Sequence, residues 1–507
     1  MLNRVSVISV LLAILGVAML APCLQAVIDG EWRVARGFLY PAVGTLFAAA
    51  GLAILLRPMA QRETAQHELF TLLLAWVLLP IFAAIPIVLL MPNLGRVGAW
   101  FDMVATLTTT GGTAFPHLAD LPDAIHLWRG LTGWLGGLLT LIAAHVVLAP
   151  RKLGGFEVMA AASGVSGEAR LDVRVGVAPI QSRAIRALKT ILPFYLGATA
   201  ALAIAFNALD KPGLAAAVHA MSILSTSGIS PLAGGFAHDG NFGAELIAIL
   251  FLAIAASRLP YSGAFKGRAR RDWREDPELK LMLYLTLGAT FLLFIRHWVG
   301  ALTIDENLDG LEGFTALWGA LFTSLSFLTT TGFESYAWEN AHSWSGLDNP
   351  GLILLCLCMI GGGAATTAGG IKLIRAYAMI RHGTRELERI AMPHSVAGLG
   401  AGPRELRREG AFIAWAFMML FIVALMAGVV SLTLTGMRFE PALFAAVAAL
   451  SNTGPAYGMI AGKGAGFADF GAVQQVILAC VMMLGRIETL AFIALLNPAA
   501  WSRGKRG

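Results

Sequence analysis

"TLTTTGGTAF", Thr106 to Phe115, sets five threonines and two glycines between two long apolar runs. The surrounding chain is 57% apolar and 13% charged over 507 residues, and its hydrophobicity recurs in runs of about 20 residues, the length a helix needs to cross roughly 30 Å of hydrocarbon. Irregular, hydroxyl-rich backbone at membrane depth is tolerated only where it is buried in protein or lines water. The stretch therefore marks either a packing kink or a polar pathway.

Three further copies favour the pathway: "MSILSTSGIS" (Met221–Ser230), "SLSFLTTTGFES" (Ser324–Ser335) and "AALSNTGPAYG" (Ala448–Gly458). Aligned on Gly111, Gly228, Gly332 and Gly454, the three preceding residues are Thr108-Thr109-Thr110, Ser225-Thr226-Ser227, Thr329-Thr330-Thr331 and Ser451-Asn452-Thr453. All twelve can donate a side-chain hydrogen bond. The tenth position before each glycine is apolar (Phe101, Val218, Phe322, Phe444) and the sixth is small (Ala105, Ser222, Ser326, Ala448). Small and hydroxyl residues also serve helix packing, but four copies in one topological slot argue for a repeated unit of membrane helix, short re-entrant helix, polar turn and membrane helix.

Glycine permits backbone angles that turn carbonyls towards one axis, and the C-terminus of each short helix adds partial negative charge. "FEPALF" (Phe439–Phe444) fits the start of one such helix, with Glu440 at its positive end and Pro441 in its first turn. Four such ends, with rings of carbonyl and hydroxyl oxygens, would replace the water shell of a monovalent cation.

Ten crossings are expected, one of them breaking early: Val5–Val27, Phe38–Leu56, Phe70–Met91, Leu131–Leu148, Ile191–Leu209, Phe242–Ala256, Leu279–Phe294, Leu352–Ile360, Ala411–Leu434 and Val473–Leu496. The first run resembles a signal peptide but is longer than an h-region, and a second run follows closely, so an uncleaved helix is expected. Threading the crossings in order places most of the 37 lysines and arginines on one side, which by the positive-inside rule makes both termini cytoplasmic. The +6 net charge thus reads as a topology signal, with no nucleic-acid partner. Cys23, Cys356, Cys358 and Cys480 lie in or beside apolar runs and read as small core residues.

The four glycine-centred loops resemble the selectivity-filter loops of the Trk/Ktr/HKT potassium-transporter superfamily, with TrkH-type subunits as the nearest branch. "GGGAATTAGGIKLIR" (Gly361–Arg375) resembles that family's intramembrane loop, and "MLGRIETL" (Met483–Leu490) its arginine-bearing last helix. The resemblance implies an all-α integral membrane protein: two N-terminal helices (1–60) and four pseudo-symmetric helix, pore-loop, helix repeats (64–155, 180–265, 275–390, 405–500) around a central pore. It implies potassium held at Thr109, Thr110 and Gly111; Thr226, Ser227 and Gly228; Thr330, Thr331 and Gly332; and Asn452, Thr453 and Gly454. Sodium-selective relatives carry serine at the first filter glycine, here Gly111. Gly112, Ile229 and the stretch "AASRLPYSG" (Ala255–Gly263) depart from the family pattern.

A gate is expected at Gly361, Gly362, Gly363, Thr366, Thr367, Gly369, Gly370 and Lys372, with Arg486 below the filter. A central arginine costs about 2.5–3.5 kcal/mol on insertion scales and so faces a polar interior. The resemblance also implies a homodimer, a cytoplasmic TrkA/KtrA-like nucleotide-binding regulatory ring, contact with membrane lipid, a bacterial inner-membrane location and no cofactor beyond the transported ion. "MAAASGVSGEARL" (Met159–Leu171) is a linker candidate for that ring.

Two other functions compete. "GVSG" (Gly164–Gly167) superficially fits a serine nucleophile, but it sits in a charged loop without a well-placed histidine. His145 has no second ligand nearby and reads as a hydrogen-bonded core residue. No GxxxxGK[ST] phosphate loop is present, which removes that route of ATP hydrolysis. A proton- or sodium-coupled carrier would use membrane-embedded acids, of which Glu488 is the one placed clearly within a crossing. That balance favours gated, channel-like conduction.

Overall fold

The computed structural model describes residues 6–56, 65–151, 155, 180–232, 234–261, 276–301, 310–345, 347, 349–391, 404–461 and 466–487, which form helices and loops without a strand. Glu488, the stretches 159–171 and 164–167, residues 262–263 and both chain ends lie outside these.

The N-terminal run forms α1 (Val7–Ala18) and α2 (Leu20–Ile28). Pro22 cannot donate to the Ala18 carbonyl, and the helix breaks at Met19 between them. Helices α3 (Trp32–Leu55) and α4 (Ala65–Leu90) follow, and α1, α3, α4 and the start of α6 share one apolar core that includes Leu12, Phe38, Trp76 and Trp128.

Four helix, loop, helix units come next. In chain order they use α5 (Gly95–Leu107) and α6 (Asp123–Ala143); α7 (Ile180–Ala208), α8 (Gly213–Ser225) and α9 (Phe242–Ala255); then α10 (Pro277–Ala301), α11 (Gly310–Leu328), α12 (Trp338–Ser345), α13 (Gly351–Ile360) and α14 (Leu373–Ala391). The last unit uses α15 (Arg404–Thr433), α16 (Phe439–Leu450), α17 (Pro455–Ala461) and α18 (Ala472–Ile487).

Among the described residues, seven helical spans are long and apolar enough to cross a membrane: 7–28, α3, α4, 123–148, α7, and 277–295 and 410–433 within α10 and α15. The expected crossings Phe242–Ala256 and Leu352–Ile360 coincide with the short apolar helices α9 and α13, and the part of Val473–Leu496 beyond Ile487 lies outside the described residues. The α9 and α13 helices have 14 and 10 residues, and at 1.5 Å per residue each falls short of the hydrocarbon thickness.

The outer surface is apolar, with Phe47 and Leu434 80% and 82% exposed, as expected of side chains facing lipid. Cys356 and Cys480 are exposed, whereas Cys358 is buried; apolar surroundings at those two positions mean the outer face rather than the core. Inside, α5, α8, α11 and α16 are deeply buried and end close together.

Glycines on the packed helices make this approach possible. A Cβ at Gly136 of α6 would strike the Leu107 carbonyl at the end of α5, and one at Gly485 of α18 would strike the Leu450 carbonyl at the end of α16. Side chains there would push the short helices off their seats.

Candidate functional site: a ring of four backbone loops

Each short helix ends the same way. The residue before the glycine donates its N–H to a carbonyl five residues back: Thr110 to Ala105 at 2.8 Å, Ser227 to Ser222 at 2.9 Å, Thr331 to Ser326 at 3.0 Å and Thr453 to Ala448 at 2.8 Å. The preceding residue donates three residues back, as Thr109 to Thr106 at 2.9 Å and Asn452 to Ala449 at 3.2 Å. This pair of bonds is the Schellman terminus, whose turning residue adopts the left-handed conformation and is usually glycine. Here Thr109, Thr226, Thr330 and Asn452 hold it, with φ of 55°, 51°, 60° and 56°. Threonine is β-branched and strained at positive φ. The small residue six positions before each glycine is thus the acceptor that closes the turn.

Gly111, Gly228 and Gly332 are left-handed as well, with φ of 75°, 66° and 79°, while the residue between each pair is not. Alternating handedness flips each peptide plane, so that successive carbonyls share a direction. Gly454 departs from this pattern. It is not left-handed, and Pro455 begins α17 directly after it.

The loops touch one another in cyclic order. A Cβ added to Gly111 would strike the Ser227 carbonyl oxygen, and one on Gly228 the Thr331 carbonyl oxygen. One on Gly332 would lie 3.1 Å from Thr453 and Pro455, and one on Gly454 would lie 2.6 Å from the Thr110 carbonyl oxygen. The Gly454 N–H donates to that same Thr110 oxygen at 2.5 Å, closing the ring from the fourth loop to the first. The sequence-predicted filter residues therefore come together at one place, all buried except the half-buried Gly111.

Their hydroxyls bond one another within each loop. In every loop the hydroxyl three positions before the glycine bonds the one immediately before it: Thr108 with Thr110 at 2.8 Å, Ser225 with Ser227 at 3.0 Å, Thr329 with Thr331 at 3.1 Å and Ser451 with Thr453 at 3.3 Å. Thr108 and Ser225 also donate back into their helices, to Val104 and Met221. These side-chain bonds fix the loops.

Side chains further back hold the chain beyond the glycines. Asp102, nine residues before Gly111, accepts from Thr113 Oγ1 at 3.1 Å and the Ala114 N–H at 3.3 Å, and pairs with Arg129 of α6 at 3.0 Å. In the second and third loops the same position is His219, bonded to Ser230 Oγ at 2.9 Å, and Thr323, which accepts from the Ser335 N–H at 3.2 Å. In the fourth it is Ala445. Glu245 of α9 adds a second tie to the third loop, accepting from Ser335 Oγ at 2.8 Å, the Tyr336 N–H at 2.6 Å and Trp318 Nε1 at 2.7 Å.

Among the described residues, Glu68, Glu245 and Glu278 are buried acids. Glu68 pairs with Arg183 at 2.5 Å, and Glu278 with Arg258 at 3.2 Å. An unpaired carboxylate at such depth costs several kcal/mol, so each acid stands against a cation or a set of donors.

The glycine-rich segment 361–370 lies buried beneath the ring. Gly361 and Gly370 are left-handed, as are the non-glycines Ala365 and Lys372. The Gly369 N–H donates to Thr330 Oγ1 at 2.8 Å and Thr367 Oγ1 to the Leu224 carbonyl at 3.3 Å, while a Cβ on Gly369 would strike the Ser451 carbonyl. Three of the four loops are thus touched from below. The segment is anchored in turn by Ala364 N–H to Glu278 at 2.9 Å, Gly363 N–H to the Ala256 carbonyl at 3.0 Å and Lys372 Nζ to the Ala368 carbonyl.

Arg486 of α18 is buried, with its Nε on Thr140 Oγ1 of α6 at 2.9 Å and its Nη2 without a hydrogen-bond partner among the described residues. One residue earlier, Gly485 touches the fourth loop through Leu450 and Asn452. His145 bonds the Leu141 carbonyl at 2.8 Å, in the helix-core role expected of it.

An all-helical membrane protein that gathers four helix C-termini at one place has the architecture of an ion transporter. The chain belongs to the TrkH family, whose model, described as a cation transport protein, matches residues 44–501. It is similar to the Trk system potassium uptake protein TrkI of Halomonas elongata, 29% identical over 98% of this chain and 96% of that one. It is also similar to the Trk system potassium uptake protein TrkH of Salmonella typhimurium, 27% identical over 98% of each. The crystal structure of the potassium transporter TrkH from Vibrio parahaemolyticus shares its fold, with a TM-score of 0.82 and 25% identity, covering 98% of this chain and 99% of that one.

Proposed function

We propose that this chain is the translocating subunit of a Trk-type potassium uptake system in the bacterial inner membrane, with both termini cytoplasmic. The observation that carries this reading is the closed contact from Gly111 through Gly228 and Gly332 to Gly454 and back to Thr110. Carbonyls around such a ring replace a potassium ion's hydration shell. The four helix ends behind them, each equivalent to about half a negative charge, stabilise the ion there. Strain at Thr109, Thr226 and Thr330 is offset by the hydroxyl pairs and by the ties to the chain beyond each glycine.

Potassium, rather than sodium, is supported by the names of the similar transporters and by glycine at position 111. The segment 361–370 obstructs the path below the ring, and Arg486 adds a positive charge there that repels a descending cation. A homodimer and a cytoplasmic nucleotide-binding ring complete the system. A coupled carrier is the weaker reading, because among the described residues the buried acids Glu68, Glu245 and Glu278 are engaged in structural bonds.

Rubidium uptake into proteoliposomes, with sodium competition, tests the proposal. Wild type should take up rubidium against a sodium excess, and Gly111→Ser should lose that preference. No uptake by wild type overturns the assignment.

A further inference from the structure

The glycine-rich segment is a loop pinched at its neck. Where the chain leaves it, the Ile371 and Lys372 N–H groups donate to the Met359 and Ile360 carbonyls at 2.9 and 2.8 Å, and the Leu373 N–H to the Gly362 carbonyl at 2.9 Å. A Cβ on Gly361 would strike the Gly369 carbonyl, so the two sides lie in backbone contact. With the neck fixed in this way, the part able to move is the tip, 363–369.

The tip is held from outside at two places. On one side Gly369 N–H and Thr367 Oγ1 bond the backs of the third and second loops, at Thr330 and Leu224. On the other, the consecutive residues Gly363 and Ala364 donate their N–H groups to the Ala256 carbonyl at 3.0 Å and to Glu278 Oε1 at 2.9 Å. Of these four partners, Glu278 alone carries an ionisable group.

The local sequence fixes where Glu278 stands. In "DPE" (Asp276–Glu278), Asp276 caps α10 with its Oδ1 on the Glu278 N–H at 2.9 Å, and Pro277 fills the first helical position. Glu278 Oε2 lies 3.2 Å from Arg258 Nε, and Arg258 Nη2 lies 3.2 Å from Asp276 Oδ2. Arg258 is two residues beyond Ala256. The chain leaving α9 therefore grips the tip twice, directly through the Ala256 carbonyl and indirectly by aiming the Glu278 carboxylate. The Glu278 side chain is 5% exposed and that of Arg258 25%, so the cluster reaches from the buried tip towards the surface.

We propose that Glu278 is a positioning residue for ion passage, a latch that keeps the tip of 361–370 across the path and is itself aimed by Arg258 and Asp276. The proposal rests on the reading of 361–370 as the gate. Without the carboxylate the buried Ala364 N–H loses its acceptor, which disfavours the closed placement relative to any other. Arg258 keeps Asp276 as its partner, so the change strands no cation.

Hydrogen–deuterium exchange of the purified full chain tests the latch. Glu278→Ala should speed exchange in the peptide carrying residues 363 and 364 about tenfold, the scale of one lost bond to a charged acceptor, while α8 exchanges as in wild type. Glu278→Gln keeps a neutral acceptor for Ala364 and should give a smaller rise, about threefold. In proteoliposomes Glu278→Ala should raise rubidium uptake about threefold, and should add nothing once 361–370 is deleted.

Unchanged exchange at 363–364 in both variants overturns the proposal. So does a rise shared equally by α8, which would mean general loosening, or a further gain in uptake in the deletion background. Should Glu278→Ala fail to fold, the same exchange comparison is made with Glu278→Gln. Raised local exchange with unchanged uptake upholds the latch and overturns the gate, so the two fail separately.

Discussion

The first three loops of the ring and the fourth reach the same place by different means. The first three carry a left-handed glycine and a polar side chain nine residues earlier, Asp102, His219 or Thr323, which grips the chain beyond the glycine. The fourth has neither. Gly454 is not left-handed, Ala445 replaces the polar residue, and Pro455 opens a short helix that does the positioning instead. Its Asn452 compensates sideways, with Nδ2 bonded to Thr110 Oγ1 and to the Met482 carbonyl, both at 3.0 Å. The ring is thus fourfold in backbone termini and threefold in its supports. A helix with its own hydrogen bonds can replace a tethered extended segment.

Removing a support from the first three loops should break that comparison most visibly. Asp102→Ala strands Arg129 in the interior and should lower stability by about 3–5 kcal/mol, read as a fall in the thermal unfolding midpoint of the purified protein. An unchanged midpoint would mean that the tether is dispensable and the first loop resembles the fourth.

The glycines come next. Gly111→Ala and Gly228→Ala combine a left-handed φ, costing about 1–2 kcal/mol, with a collision against a neighbouring carbonyl, and rubidium uptake should fall about tenfold or more. Gly332→Ala meets side chains that can shift, so the φ penalty dominates and the loss should be smaller. Gly454→Ala has the collision without the φ penalty, which separates the two causes. Equal losses at all four positions would contradict the asymmetry.

The smallest expected change is at the segment below. Deleting 361–370 should raise uptake several-fold, and Arg486→Ala should raise it about two- to threefold, the scale of roughly half a kcal/mol. Unchanged or lower uptake in both would remove the gate from that segment.

The long apolar runs made the membrane class and most crossings legible in the sequence, and the repeated glycine with its small sixth neighbour located all four loops. The acceptor role of that neighbour was hidden, because a Schellman turn is recognised by its glycine and here threonine and asparagine stand in the turning position. The supports were hidden for another reason. Asp102, His219 and Thr323 share a position but no chemistry, and the Glu68–Arg183 pair bridges residues 115 apart. The α13 helix is apolar yet short, because the chain turns at Gly361 into a buried loop whose backbone groups find partners.

The central claim is that the four loops hold one dehydrated alkali ion by main-chain oxygens. Its most direct test is an anomalous difference map from crystals of this protein grown in rubidium. The account predicts a peak on the axis between the carbonyls of Thr110, Ser227, Thr331 and Thr453, lost in Gly111→Ala. A map with no peak there, or with rubidium held instead by side chains away from the loops, would contradict it.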